Sequence, residues 1–450
     1  MRRLLLFLLL AVAGSSATAQ QTPPGSNHVV IISLDGFPGW AFEDPLLPVP
    51  TLRRLAASGA MSTSMRGVNP TVTWPTHTSM VTGVGPARHG VMFNGLLIRE
   101  PGVPPRIEPW VDRDRMVHAK TLYDAAHERG LTTAQVDWVA IQNAPTITWE
   151  FAERPDPDGQ IAREMVQAGL VSRADVESFG SRNVLWRDHI WTTAAAHIVR
   201  QHRPNLLLFH LLNLDSTHHR YGPRTPAGMT AMAHLDSQVA ELVDAVEDAG
   251  LRARTTFFVV SDHGFKTVKR QVRPNAAFSN AGLLQVEGNR VTRAQVYSVP
   301  EGGSAIVYVT VPDADGAVLE RARRALAGIE GIASVVEPSD YGQYGLAQPT
   351  ADGQMGALFL TAAEGYAFTA AVGEEVVVDT PPTSLGAHGY VANDPEIRAL
   401  FIASGRGVRT GVILPEMSTL DLAPTAARLL DVTLEDVDGR VLEEILDIRQ

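Results

Sequence analysis

The sequence contains no cysteine. Disulfide staples, thiolate nucleophiles and cysteine-ligated zinc are therefore excluded together, and any metal must be held by nitrogen and oxygen donors. The chain also lacks a basic excess, with a formal net charge of −11. A nucleic-acid duplex is gripped through its phosphates by a positive face, so this balance argues against one as partner. A small phosphorylated substrate stays compatible, because bound cations reverse the local sign. Beyond residue 12 no apolar run is long enough to span a bilayer. The run at residues 4–12 is itself too short for an anchor. Preceded by Arg2 and Arg3 and followed by Ala17-Thr18-Ala19, residues 1–19 read as a signal peptide cleaved after Ala19, which predicts a periplasmic or secreted protein.

What is present is a succession of apolar runs separated by amphipathic stretches. Residues 20–27 are polar with two prolines and read as a linker. The run at 28–34 is almost continuously apolar and ends at Asp35-Gly36; similar runs lie at 205–213, 255–261 and 397–403. Runs of this kind suit strands of a parallel sheet covered on both faces. Helical patterns at 120–129, 188–201, 229–249 and 419–430 lie between them, predicting a doubly wound α/β sheet. From 266 to 385 the pattern changes to a strand at 304–311, a helix at 317–327, a short strand at 332–336 and many glycines. This reads as an inserted α+β subdomain, so that 28–265 and 386–450 form one core.

In an open α/β sheet, chemistry gathers at the carboxyl ends of the strands. Asp35 ends the first run, Asp215 follows the run that starts near Asn205, and Asp262-His263 follow the run that starts near Thr255. His219 lies four residues after Asp215, and His388 sits between Gly386 and Gly389 in a stretch where glycine lets the backbone approach closely. Carboxylates and imidazoles without sulfur suit zinc or a similar divalent ion. Each fragment alone reads more readily as a commonplace spacing, a helix cap or a satisfied loop histidine; their joint placement at strand ends favours a metal centre. Thr73 lies just before a helix started by Pro75, where free backbone N–H groups and the positive dipole end favour an anion. A plain helix-capping role for Thr73 is compatible with that.

Taken together, the strand ending in Asp35-Gly36, the block from Pro70 through Thr73-Trp74-Pro75 to His77, the segment from Gly83 through Arg88-His89-Gly90 to Asn94, the stretch from Asp215 to Pro223, Ser261-Asp262-His263-Gly264, and Gly386 to Tyr390 resemble the type I phosphodiesterase/nucleotide pyrophosphatase family of the alkaline phosphatase superfamily. The resemblance implies an alkaline-phosphatase-like fold: a doubly wound, mostly parallel sheet with helices on both faces. It implies two Zn2+ ions, other divalent ions being admissible. One would be held by Asp215, His219 and His388, the other by Asp35, Asp262, His263 and the Thr73 hydroxyl. Thr73 would be the nucleophile, giving a phosphothreonine intermediate. Asn94 and a backbone N–H near Thr73 would hold a phosphoryl oxygen, and Trp74 would line the pocket for the organic group. His77, His89 and His218 are read as packing or loop residues.

Two departures bear on the substrate. Related phosphomonoesterases add a Lys-X-Arg pair that grips the terminal phosphate, yet no lysine occurs between Asp137 and Arg182. The position of a sulfatase's formylglycine is Thr73, and His77 stands where that motif has arginine. The expectation is therefore hydrolysis of a phosphate diester or pyrophosphate in a small, nucleotide-like substrate. A phosphomonoesterase or phosphonate hydrolase on the same metals is the alternative, and a metal-stabilised binding protein the non-enzymatic one.

Overall fold

Alternating burial in the first strand sets the architecture. In His28–Leu34 the side chains of Val30, Ile32 and Leu34 join one apolar cluster, and those of Val29 and Ile31 join another. Both faces of this strand are therefore covered, as a period of two demands when neither face meets water. The computed structural model describes residues 26–447; the signal segment and most of the 20–27 linker lie outside the described residues. The first cluster collects Leu52, Trp191 and Leu235 from helices Pro50–Ala57, Val184–His202 and Pro226–Asp248. The second collects Met80, Leu122 and Leu422 from helices Thr73–Thr82, Leu122–Glu128 and Leu422–Leu430.

The central sheet has nine strands. Its middle is parallel: His28–Leu34 lies between Leu206–Leu211 and Thr255–Val260, and Thr133–Val136 and Trp149–Phe151 continue the parallel side. On the other side Ala399–Gly405 runs antiparallel to both Thr255–Val260 and Gly59–Arg66. The sheet is thus mostly parallel with helices on both faces, as the alternation of runs predicts; the one reversed central strand is invisible to that alternation, because burial on both faces gives either direction the same apolar run. Among the described residues no helix is long and apolar enough to cross a membrane.

Residues 266–385 contain a second sheet, antiparallel, in the order Val296–Pro300, Ser304–Val309, Leu358–Ala362, Ile332–Val336. Its strands also alternate. Ala305 and Val307 face a cluster with Ala322 and Leu326 of helix Ala317–Leu326, whereas Ile306 and Tyr308 pack with Met92, Phe93 and Leu97. The second sheet is therefore stacked on the 92–97 segment of the main body.

The turn from Leu206–Leu211 into the helix Asn213–Tyr221 is tied down by a buried carboxylate. Asp188, on Val184–His202, accepts the N–H groups of Leu212 and Asn213, both at 3.0 Å. Burial pushes its carboxyl up to about 7 against the pull of those two N–H groups. Its replacement strands two buried donors. Asp188→Ala is expected to lower unfolding free energy by about 3 kcal/mol, measured as a lower urea midpoint at unchanged slope; an unchanged midpoint would remove Asp188 from this role.

Candidate metal centre and nucleophile

Three parallel strands deliver three carboxylates to one place. Asp35 follows His28–Leu34 directly, Asp262 follows Thr255–Val260 after Ser261, and Asp215 lies in the first turn of the helix after Leu206–Leu211. Gly36 makes the approach possible: its φ is +72°, and a Cβ there would lie 2.7 Å from the Phe265 ring and 3.2 Å from the Asp215 backbone. Asp262 Oδ1 accepts the N–H groups of Gly36 and His263, each at 3.0 Å, which leaves Oδ2 to face inward.

Two groups of possible ligands result, Asp35 with Asp262 and His263, and Asp215 with His219 and His388. In the first, His263 Nε2 lies 3.1 Å from Asp262 Oδ2 and 3.6 Å from Asp35 Oδ1. In the second, Asp215 Oδ1 lies 3.4 Å from His219 Nε2 and 3.8 Å from His388 Nε2. The groups touch, since the His263 and His388 rings stack with centroids 3.7 Å apart. His219 Nδ1 donates to the Gly386 carbonyl at 3.2 Å and His388 Nδ1 to the Thr71 carbonyl at 3.0 Å. Both imidazoles are thereby left with a bare Nε2 turned towards Asp215, the tautomer a metal ligand needs.

The donor set fits a pair of divalent cations. Asp35 Oδ1, Asp215 Oδ1, Asp262 Oδ2 and both ring nitrogens of His263 are buried without a hydrogen-bond partner, where buried polar atoms are normally paired. The protonation pattern of the bare protein shows the same strain. Burial, and then the Asp262 and Asp215 carboxylates, push Asp35 well above the usual carboxylate range. Burial opposes a charge on His263, yet the carboxylates of Asp262, Asp35 and Asp215 raise it to about 9. Burial together with His263 and His219 holds His388 well below the ordinary imidazole range. A cation at each group would satisfy the three carboxylate oxygens together with one ring nitrogen of His263.

Thr73 is the first residue of the helix Thr73–Thr82, with Val72 in the cap position, so its hydroxyl is not committed to capping. The chain on either side is tied to the ligands: the Thr71 carbonyl holds His388, and the Thr73 carbonyl accepts from His77 Nδ1 at 2.8 Å, an atom 3.8 Å from Asp262 Oδ2. Asn94 is exposed, and its Oδ1 accepts the Trp74 N–H at 3.0 Å; that backbone donor is therefore engaged. Trp74 is only 7% exposed and packs with Val91, Val111, Met116 and Val139. It forms a wall more than an open stacking surface.

Sequence reasoning missed two further residues. His210 Nε2 lies 3.0 Å from Asp35 Oδ2, and its Nδ1 lies 3.1 Å from Asp137 Oδ2; all three residues are buried. Burial pushes Asp137 up to about 7, and at His210 the hydrogen bonds to Asp137 and Asp35 overcome burial and raise it well above its ordinary value. The signal was there: His210 is the one polar residue in the buried strand LLLFHL, and Asp137 is a further carboxylate just past a strand end. His77 is wholly buried and driven down to about 3 by burial and then by His210. His89 bonds Ser79 and His218 bonds the Gly36 carbonyl, so neither belongs to a ligand group.

Comparison with known proteins bears on the family and the fold. Mouse ectonucleotide pyrophosphatase/phosphodiesterase family member 1 is 24% identical over 283 residues, 60% of this chain and 28% of that protein. The chain thus matches little more than a quarter of that relative's length. Human family member 7 is 22% identical over 426 residues, 92% of this chain and 82% of that protein. Among solved structures, murine ectonucleotide pyrophosphatase/phosphodiesterase 5 superposes with a TM-score of 0.68 at 17% identity, covering 93% of this chain and all of that one; an inactive variant of the murine protein was solved in complex with AMP. The profile described as type I phosphodiesterase / nucleotide pyrophosphatase matches residues 29–391. With that match running through Asp35, Thr73, Asn94, Asp215, Asp262 and His388, the chain belongs to the type I phosphodiesterase/nucleotide pyrophosphatase family.

Proposed function

We propose that this protein is an exported, metal-dependent hydrolase of nucleotide-like phosphate diesters and pyrophosphates, cleaved near Ala19 and using Thr73 as nucleophile. The observation that carries the reading is the set of orphaned ligand atoms beside a helix that begins at an uncommitted threonine hydroxyl. Family membership supports the reaction class, and the AMP bound to the murine relative supports a nucleotide-like substrate. In this reading Asp215, His219 and His388 hold one Zn2+, and Asp35, Asp262, His263 and the Thr73 hydroxyl hold the other. Residues 28–265 and 386–450 form the catalytic core and 266–385 an insertion with its own sheet and apolar cluster.

When bound, the cations supply Lewis acidity and neutralise charge on the entering and departing oxygens. The chain does the positioning. The helix start and the His77 bond to its carbonyl fix Thr73, whose Oγ1 attacks phosphorus in line as the bond to the leaving oxygen breaks. Water then cleaves the phosphothreonine ester, releasing the phosphate product and restoring the hydroxyl. Asn94, clamped through Oδ1, keeps its amide N–H groups for an equatorial oxygen that gains charge in the transition state. A diester carries about one negative charge at the reacting group and a monoester nearly two, and the segment 137–182 offers no lysine for the second.

Elemental analysis of protein purified without chelator is expected to give at least two zinc per chain, with His388→Ala losing mainly one. Exhaustive chelation should abolish turnover; full activity of the metal-free protein would overturn the reading.

Thr73→Ala is expected to lower kcat by on the order of 10³ or more with fold and metal content retained, while Thr73→Ser keeps measurable turnover. Wild-type protein should cleave bis-p-nitrophenyl phosphate in preference to p-nitrophenyl phosphate. A monoester preference points to the phosphomonoesterase alternative instead. Since Trp74 is packed, Trp74→Ala should cost stability as well as affinity for nucleotide diesters, with methyl diesters reporting the stability part alone.

A further inference from the structure

A second place where imidazoles and a carboxylate converge lies far from the centre described above. Glu164, on helix Gln160–Gln167, and His197 and His202, on helix Val184–His202, bring one ligand atom each within 4.8 Å of one another. His197 Nε2 lies 3.0 Å and His202 Nε2 2.7 Å from the same oxygen, Glu164 Oε2. The other carboxylate oxygen accepts from Gln160 Nε2 at 2.8 Å, which turns Oε2 towards the two rings. The His202 ring is stacked on Trp149 with centroids 4.7 Å apart. Carboxylate and ring are thus both oriented from behind, as supporting residues orient metal ligands. His197 and His202 are 8% and 15% exposed, and the three residues border an open recess of about 690 Å3 that also meets Thr193, Arg200 and Glu241.

The position is separate from the strand-end centre by topology. His202 precedes the strand Leu206–Leu211, and Asp215 follows it. A six-residue strand is about 20 Å long, so the two sites sit at opposite ends of the sheet's strands.

We propose that Glu164, His197 and His202 form a further divalent-cation site of the zinc class, with its remaining coordination open to the recess. Two imidazole nitrogens and one carboxylate oxygen are a set that zinc accepts, and ligand atoms around a tetrahedral zinc stand about 3.3 Å apart. The present separations of 2.7 and 3.0 Å to Glu164 need to open by about 0.6 and 0.3 Å to reach that spacing. A bound ion ties two packed helices together and stabilises the folded chain by mass action. Without an ion, the same atoms form a hydrogen-bonded Glu–His–His triad, and that is the competing account.

The test uses the full chain, loaded with zinc and desalted, as wild type and as the His197→Gln/His202→Gln double variant, whose side chains can still hydrogen-bond Glu164. The variant is expected to retain one zinc fewer per chain than wild type, with diester turnover within twofold. Added micromolar Zn2+ should raise the melting temperature of metal-stripped wild type more than that of the stripped variant. Because the readout is a difference of one ion, it survives whatever number the strand-end centre holds: a failure there lowers both proteins equally. Should the double variant fail to fold, Glu164→Gln, which preserves the helix contacts, is expected to weaken retention at least tenfold. Equal zinc content in wild type and variant, or binding only at millimolar zinc, overturns the site and leaves the hydrogen-bonded triad.

Discussion

Three carboxylates brought together, two of them fully buried, are the constraint to which the rest of the structure answers. Asp35, Asp215 and Asp262 arrive there because adjacent parallel strands end side by side, and a parallel sheet covered on both faces keeps water from diluting their repulsion. The surroundings work to place positive or positivable groups against them: His263 between Asp35 and Asp262, His219 and His388 beside Asp215, His210 behind Asp35. Those imidazoles still leave Asp35 Oδ1, Asp215 Oδ1 and Asp262 Oδ2 without a hydrogen-bond partner. The fold is therefore arranged around charge that the polypeptide does not itself supply, and family membership gives that arrangement its chemical context.

Strand ends were legible because their apolar runs stop abruptly at an acidic residue, and a stop of that kind is a local signal. The same signal marks Asp137, but no histidine next to it in sequence singles it out. Its partner His210 comes from a strand 73 residues on, and the pairing exists only once Thr133–Val136 and Leu206–Leu211 lie in register. His197 and His202 were hidden for another reason. A spacing of five places two residues on different faces of a regular helix, and they meet at Glu164 because His202 is the helix's last residue, with Arg203 turning left-handed after it. Trp74 shows the converse limit: a sequence can place an aromatic beside a nucleophile without saying which way its ring packs.

The segment 266–385 contributes more than bulk. Through Ile306, Tyr308 and Phe359 its sheet packs on Met92, Phe93 and Leu97, and Asn94 is the exposed residue in the middle of that supported segment. An exposed amide would ordinarily sample several rotamers, at a cost in order when it binds. Here the backbone beneath it is stacked against a sheet and its oxygen is held by the Trp74 N–H. A surface residue is thus given the fixed geometry usually found in a core.

The turn at residues 301–303 binds the loop of His388 even more directly. The Gly303 N–H donates to the His388 carbonyl at 2.8 Å, and Gly389 adopts φ +81° where a Cβ would lie 1.6 Å from the Glu301 carbonyl. The turn contacts that ligand and makes no comparable bond to Asp35, Asp262 or His263. The two ligand groups are held differently: Asp35, Asp262 and His263 directly follow sheet strands, whereas the loop of His388 is bonded both to Thr71 and to the turn at 301–303. Thermodynamic linkage then runs in both directions. On the proposed reading, an ion held by His388 and the packing of the 301–303 turn against its loop stabilise one another.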